Sequence, residues 1–478
     1  MKRSFSTTAI GDGCTINTLT LQADIDACHN AGGGVLTLPP GRYLSATIHL
    51  RDNVTLHLAE GATLLGSNRI ADYPVLPPTL TRIDTFLNRA LVVARGVRNV
   101  AITGRGTIDG QGRLGENDFM DDPEHDRQYR PLLVWFDRCE DVRTEGITFQ
   151  AAGFWTQTYS RCRGGIVDGI RVRDNVNDNN DGCDILDSRD FIVQNCDIDC
   201  IDDGICLKSY TAEGCHNITI RRNRVKSLCN AIKTGTDSSG EGFQDILIED
   251  NELWQVGRAG LALETTDGGK LERVVVRNLR MDVVGTPIFL KLGNRHLPTR
   301  DAAGNLLAVS APGSLQDITI ENLEATVDNE TKPVKERYTA DEERLYQVTR
   351  PHTSSITGYP GQMVENIRLS NIRIEALGGY GEQIVAGHIT REIPEVTTKY
   401  PNPDMFGTLP AFGLYVRHAR NLDLADVSFI SRVSELRPAL FFEDVHQAQL
   451  REVAHSGNSG GLLHCHPCCS GIKTPFLG

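Results

Sequence analysis

The sequence predicts an all-β fold, a single-stranded parallel β-helix with one short helix capping its N-terminal end. Three observations lead there. A nine-residue phrase recurs: Asn or Asp, apolar, any, apolar, two polar or small residues, apolar, any, apolar. Its copies beginning at Asp141, Gly164, Asp190, Asn217, Asp245 and Arg273 are spaced 23, 26, 27, 28 and 28 residues apart, with no helical period between them. Finally, Cys139, Cys162 and Cys215 each precede their phrase by two positions, as an internal ladder of small side chains would require.

Each phrase reads as two short alternating strands joined by a polar or Gly corner. A strand pair that short cannot bury its apolar face alone, so neighbours must stack. About 25 residues per repeat suits one coil of a parallel β-helix, whereas a propeller blade takes about 40–45. Further copies begin at Asp317, Asn366 and Asn421, with looser ones at Asn53 and Asn99. The later spacings of 44, 49 and 55 fit either two coils or one coil carrying an insertion.

In chain order, Asn17 to His29 has apolar residues near helical spacing and is stopped by Asn30-Ala-Gly-Gly-Gly34. This helix is expected to cap the stack within residues 1–34, and strands are expected from Val35 onward. Coils should run over residues 35–455, with an inserted loop at 328–349, where the sequence is charged and lacks the phrase. Residues 456–478 read as a Gly/Ser-rich tail in which disorder is expected. At 478 residues the chain exceeds the usual size of one globular core, but a solenoid grows by adding coils, so one elongated domain is expected.

Composition narrows the function. A net charge of −13 argues against a nucleic-acid or anionic-membrane partner, and no apolar run approaches the length of a membrane helix. No apolar segment follows the basic Met1-Lys2-Arg3, and the 13 cysteines are odd in number and scattered. A cytoplasmic protein with reduced thiols is therefore expected. His464-Cys-His-Pro-Cys-Cys469 offers soft metal donors but no partner knuckle, so neither a metal nor another cofactor is expected.

The chemistry sits in matching acidic corners. Asn179-Asn180-Asp181-Gly182-Cys183-Asp184 is followed one coil later by Asp202-Asp203-Gly204. Aligned on Asp-Gly, Asp181, Asp203, Asn230 and Ala259 should share one column, with neighbouring strands about 4.8 Å apart. Carboxylates on adjacent coils repel, which raises at least one pKa and lets one group stay protonated while another is ionised. That is what acid/base cleavage of a glycosidic bond requires. A lone Asp-Gly is more often a turn former; three acids in register are harder to explain that way.

At these residues the sequence resembles the family 28 glycoside hydrolases, whose best-known members are polygalacturonases. Gly32-Gly-Gly-Val-Leu-Thr-Leu-Pro-Pro-Gly41, Gly104-Arg-Gly-Thr-Ile-Asp-Gly-Gln-Gly112 and Phe154-Trp155-Thr156 look like its landmarks, from about Gly11 to about residue 300. The resemblance implies a right-handed helix and inverting hydrolysis. Asp202 would then be the general acid, and Asp181 and Asp203 would activate water. It also exposes departures. The family's Gly-His-Gly falls on Cys229-Asn230-Ala231, and its Arg-Ile-Lys on Ala262-Leu263-Glu264, so its usual substrate-binding cations are missing.

Candidate replacements are Lys233, Lys291 and Arg295, with Asn180, Asn230 and Glu264 completing the expected substrate-binding set. The plainer reading of Lys208, Glu264 and Lys291 is a ladder of alternating charges. The expected partner is a pectin-related oligosaccharide, attacked from a chain end. A β-helical lyase or epimerase, or a non-catalytic carbohydrate-binding solenoid, are the alternatives.

Overall fold

A computed structural model describes residues 3–77, 88–120, 130–297, 311–327, 353–377 and 392–474. The expected insertion at 328–349 lies outside the described residues. The chain groups into two compact units, Met1–Cys206 with Cys215–Arg224, and Leu207–Gly214 with Val225–Gly478.

In the first unit the coils that follow the helix contribute three strands rather than the two in the phrase. Leu132–Asp137, Glu140–Glu145 and Thr148–Gln150 pair in parallel with Gln157–Ser160, Arg163–Asp168 and Arg171–Arg173. The phrase covers the second and third strands. The first strand escapes it because its residues are buried on both faces and do not alternate.

The register places Asn53, Asn99, Asp141, Gly164, Asp190 and Asn217 in one column. Their φ values lie between 50° and 71°, the left-handed region where Asn, Asp and Gly are least strained. That is why the phrase begins with those residue types. Their side chains also bond along the column, as in Asn99 to Asn53 at 2.8 Å and Asn217 to Asp190 at 2.7 Å. The cysteine ladder is present, with Ser188 between Cys162 and Cys215; Ser188 Oγ accepts the Cys162 N–H at 2.9 Å. Burial pushes the Cys162 thiol well above its ordinary pKa, and contact with Cys139 adds to it.

The helix Thr18–Asn30 forms as expected and buries Leu21, Ile25 and Cys28. Strands begin earlier than expected, however. Ser4–Ser6 and Asp12–Ile16 precede the helix and pair with Gly34–Leu38 and Gly41–Ser45. Both are too short and polar to show alternation, and neighbouring strands supply their pairing.

In the second unit the equivalent column runs through Asp245, Arg273, Asp317, Asn366 and Asn421. Ile318 pairs directly with Val274, Ile367 with Ile318, and Leu422 with Ile367. The long spacings are thus single coils carrying insertions. The stretch expected as a disordered tail is ordered through Thr474. Leu463–Cys465 pairs with Leu440–Phe442, and single bridges tie Ser470 to His446 and Lys473 to Gln449. The exposed edge of the last long strand supplies those bonds without any apolar pattern.

Candidate active site

The acidic corners of the first unit are held by backbone. Gly182 N–H donates to the Asp203 carbonyl at 2.9 Å, and Cys183 N–H to that of Gly204 at 3.0 Å, so Asp181 and Asp203 occupy neighbouring coils in register. A Cβ on Gly182 would stand 2.5 Å from the Gly204 carbonyl oxygen, so this approach needs glycine. Asp181 and Asp203 are 3% and 4% exposed, while Asp202 is half-buried. Asp202 accepts the Asn179 N–H at 3.2 Å and the Asp203 N–H at 2.9 Å, which fixes its carboxylate at the turn. Asp202 and Asp203 have carboxylate oxygens within 4.8 Å of each other.

Arg130 secures the loop behind these acids. Its buried guanidinium donates to the Asp178 carbonyl at 2.6 Å and to Asn179 Oδ1 at 2.9 Å, and lies 4.9 Å from the Phe154 ring centre. Asn180 has a similar bracing position. Its amide donates to the carbonyls of Ala152 and Phe154, and its oxygen accepts the Asn177 N–H at 2.7 Å. The Cys200 thiol registers the local field: burial pushes it well above its ordinary pKa, and the charges of Asp199, Asp181, Asp202 and Asp203 push further.

A fourth acid joins them. Asp184, fully buried, places an oxygen within 4.8 Å of both Asp181 and the Cys206 sulfur. The spacing Asp181-Gly-Cys-Asp184 was visible in the sequence, but inward burial of an acid has no sequence signal. Two carboxylates and a thiol are a mixed donor set. Calcium takes six to eight oxygens, so these residues fit a hard cation poorly.

In the second unit Asn230 and Ala259 share a column, with Ala231 N–H bonded to the Ala259 carbonyl at 3.0 Å. Asn230 accepts the Ala259 N–H at 3.2 Å and so serves its own corner. Lys233 and Glu264 are almost wholly buried and lie 3.5 Å apart; Thr236 Oγ1 also donates to Glu264 at 3.1 Å. Glu264 and Lys291 are in register, as the charge-ladder reading requires, and the column continues through Thr357, Arg417 and Glu443. Arg295 is turned onto two acids, Asp267 at 2.6 Å and Asp237 at 2.9 Å.

Residues 392–413 form a strap that the repeat pattern does not reveal. Ile393, Phe406, Leu409 and Ala411 bury Ala262, Phe289, Tyr415 and Phe441 on the outer face of the sheet. Arg417 donates to the Ile393 carbonyl at 2.8 Å, and both Arg417 and His418 pair with Glu395. Lys291 lies beneath the strap, 5.4 Å from the Phe406 ring centre, and burial lowers its ammonium pKa to about 8. The strap also carries Tyr400, whose hydroxyl accepts Lys233 at 3.1 Å, and Asn402, whose oxygen accepts Arg258 at 3.0 Å. These two residues lie 167 and 144 positions from their partners, in a Pro-rich stretch without the phrase.

Residues 82–338 match the model of glycosyl hydrolases family 28, which is more than half of the chain and spans both clusters of charged residues. The chain belongs to this family. Among curated relatives, a probable polygalacturonase from Vitis vinifera is 28% identical over 292 residues, covering 57% of this chain and 59% of its own length. An exo-poly-alpha-D-galacturonosidase from Dickeya chrysanthemi is 27% identical over 330 residues, covering 57% of this chain and 54% of its own length. The chain therefore spans little more than half the length of these relatives. The structure of a family 28 exopolygalacturonase from Yersinia enterocolitica superposes with a TM-score of 0.62 at 18% identity, covering 99% of this chain and 78% of that one. This agrees with the family 28 β-helix at the level of fold.

Proposed function

We propose that this family 28 member hydrolyses glycosidic bonds in pectin-related oligosaccharides with inversion at the anomeric carbon. The observation that carries the reading is the register of Asp181 and Asp203 on adjacent coils, with Asp202 fixed at the same turn. Asp202, the most exposed of the three, protonates the leaving glycosidic oxygen. Asp181 and Asp203, buried on neighbouring coils, take the proton of the attacking water. Arg130, Asn179 and Asn180 position the turn.

Attack from a chain end is the second part of the proposal. The Dickeya chrysanthemi relative, named as an exo-acting enzyme, supports this mode. We also propose a reducing, cytoplasmic setting, supported by the odd number and scatter of the 13 cysteines, nine of which are buried.

The test is Asp202→Asn, assayed by reducing-end release from pectic oligosaccharides and by product analysis. Turnover should fall on the order of 10²–10⁴-fold with the unfolding midpoint unchanged. Full turnover in the variant, or unsaturated products absorbing in the ultraviolet, would refute the hydrolase assignment.

A further inference from the structure

Tyr400 is, among the described residues, the one Phe, Tyr or Trp side chain counted as exposed, at 51%. It is nonetheless held firmly. Lys233 Nζ donates to its hydroxyl at 3.1 Å and lies 5.3 Å from the ring centre, while the Arg295 guanidinium carbon is 5.8 Å away. Cations against a ring fix its orientation while leaving other ring surface to solvent. An exposed, immobilised aromatic ring is a stacking platform for the C–H face of a sugar.

The charges around this platform limit what kind of sugar it takes. Lys233 is compensated by Glu264 at 3.5 Å, and Arg295 by Asp267 and Asp237 at 2.6 and 2.9 Å. Lys291 stands in register beside Glu264, so among the described residues three cations are matched by three carboxylates. Tyr210 donates its hydroxyl to Asp237 at 2.8 Å, adding a polar rim without charge. A uronate carboxylate here would be a fourth negative group beside cations already engaged, whereas hydroxyls meet donors and acceptors of both kinds.

We propose that Tyr400, with Lys233, Arg295 and Asp237 around it, forms a glycosyl-binding subsite that takes a neutral sugar rather than a uronate. It rests on the proposed function only in taking a carbohydrate as ligand. The choice of sugar follows from the ion pairs, and Tyr400 supplies the stacking surface that holds it.

The test uses the full chain carrying Asp202→Asn, so that ligands persist. Calorimetry would compare an oligogalacturonide with the same oligomer after reduction of its carboxylates to alcohols. The neutral oligomer should bind at least about tenfold more tightly, with a Kd that does not rise with added salt. Tyr400→Ala should weaken it about tenfold without moving the unfolding midpoint, and Tyr400→Phe should restore most of the affinity. Tighter binding of the acidic oligomer, salt-weakened binding, unchanged affinity in Tyr400→Ala, or no binding of either oligomer would each overturn the inference. Turnover by the wild-type chain is read separately. Neutral-sugar binding without turnover would remove the hydrolase reading and leave this one standing.

Discussion

Arg437 and Glu435 are 1% and 2% exposed, and they form a two-pronged pair, Nε to Oε1 at 3.0 Å and Nη2 to Oε2 at 2.8 Å. The remaining guanidinium nitrogen, Nη1, donates to the carbonyls of Leu409 and Ala411 at 3.1 and 3.0 Å, which ties down the returning end of the strap. Replacing Arg437 with Met keeps the volume and removes the charge. Glu435 is then a buried carboxylate whose counter-ion is gone, a change that typically costs about 3–5 kcal/mol. Two carbonyls also lose their donor, at about 1 kcal/mol each once water partly replaces it. The sum, about 5–7 kcal/mol, rivals the whole stability of an ordinary domain. The unfolding midpoint in urea should fall steeply, and limited proteolysis should cut within 392–411 before the strands. Arg437→Met/Glu435→Leu should recover most of the loss, because no charge is then stranded. A single variant costing less than about 1 kcal/mol, or a double variant as unstable as the single one, would refute this account of the strap's anchorage.

Lys291 gives a pH signature. Burial draws its pKa from 10.5 to about 8, so across that window the unfolded chain holds a proton that the folded chain has released, and stability rises with pH. Lys291→Met should stabilise the fold near neutrality by about 1–3 kcal/mol and flatten that rise, read from unfolding midpoints on both sides of the window. Asn366 has φ 58° and donates to Asp317 at 2.7 Å. Asn366→Ala should cost about 1–2 kcal/mol and Asn366→Gly less, in denaturant titrations, because glycine keeps the backbone conformation. Of the 13 thiols, only Cys14, Cys465, Cys468 and Cys469 should react with a thiol reagent in the native protein, and the nine buried ones only after unfolding.

The repeat was legible because its cause is local. Asn or Asp at the head of each phrase answers a left-handed backbone angle, and alternation follows from strands with one buried face. The acidic corners were legible for the same reason, since their spacing equals one coil. Two kinds of feature were hidden. Strands such as Leu132–Asp137 and Cys183–Leu186 are buried throughout and carry no alternation. The contacts of Tyr400, Asn402, Arg417 and Arg437 depend on where a segment outside the phrase comes to rest, which no spacing encodes. Arg295 illustrates the limit. Its charge was plain in the sequence, but its engagement by Asp267 and Asp237 was not.

The coils that carry insertions have a further consequence. Because Val274, Ile318, Ile367 and Leu422 stay in direct register across intervals of 44, 49 and 55 residues, the length between successive coils is uncoupled from the ladder itself. The strap lies in the last of these intervals. A chain of this design can exchange such a segment wholesale, as a cassette, while its scaffold keeps every pairing. New specificity could then arise by replacing a segment between coils without redesigning the core.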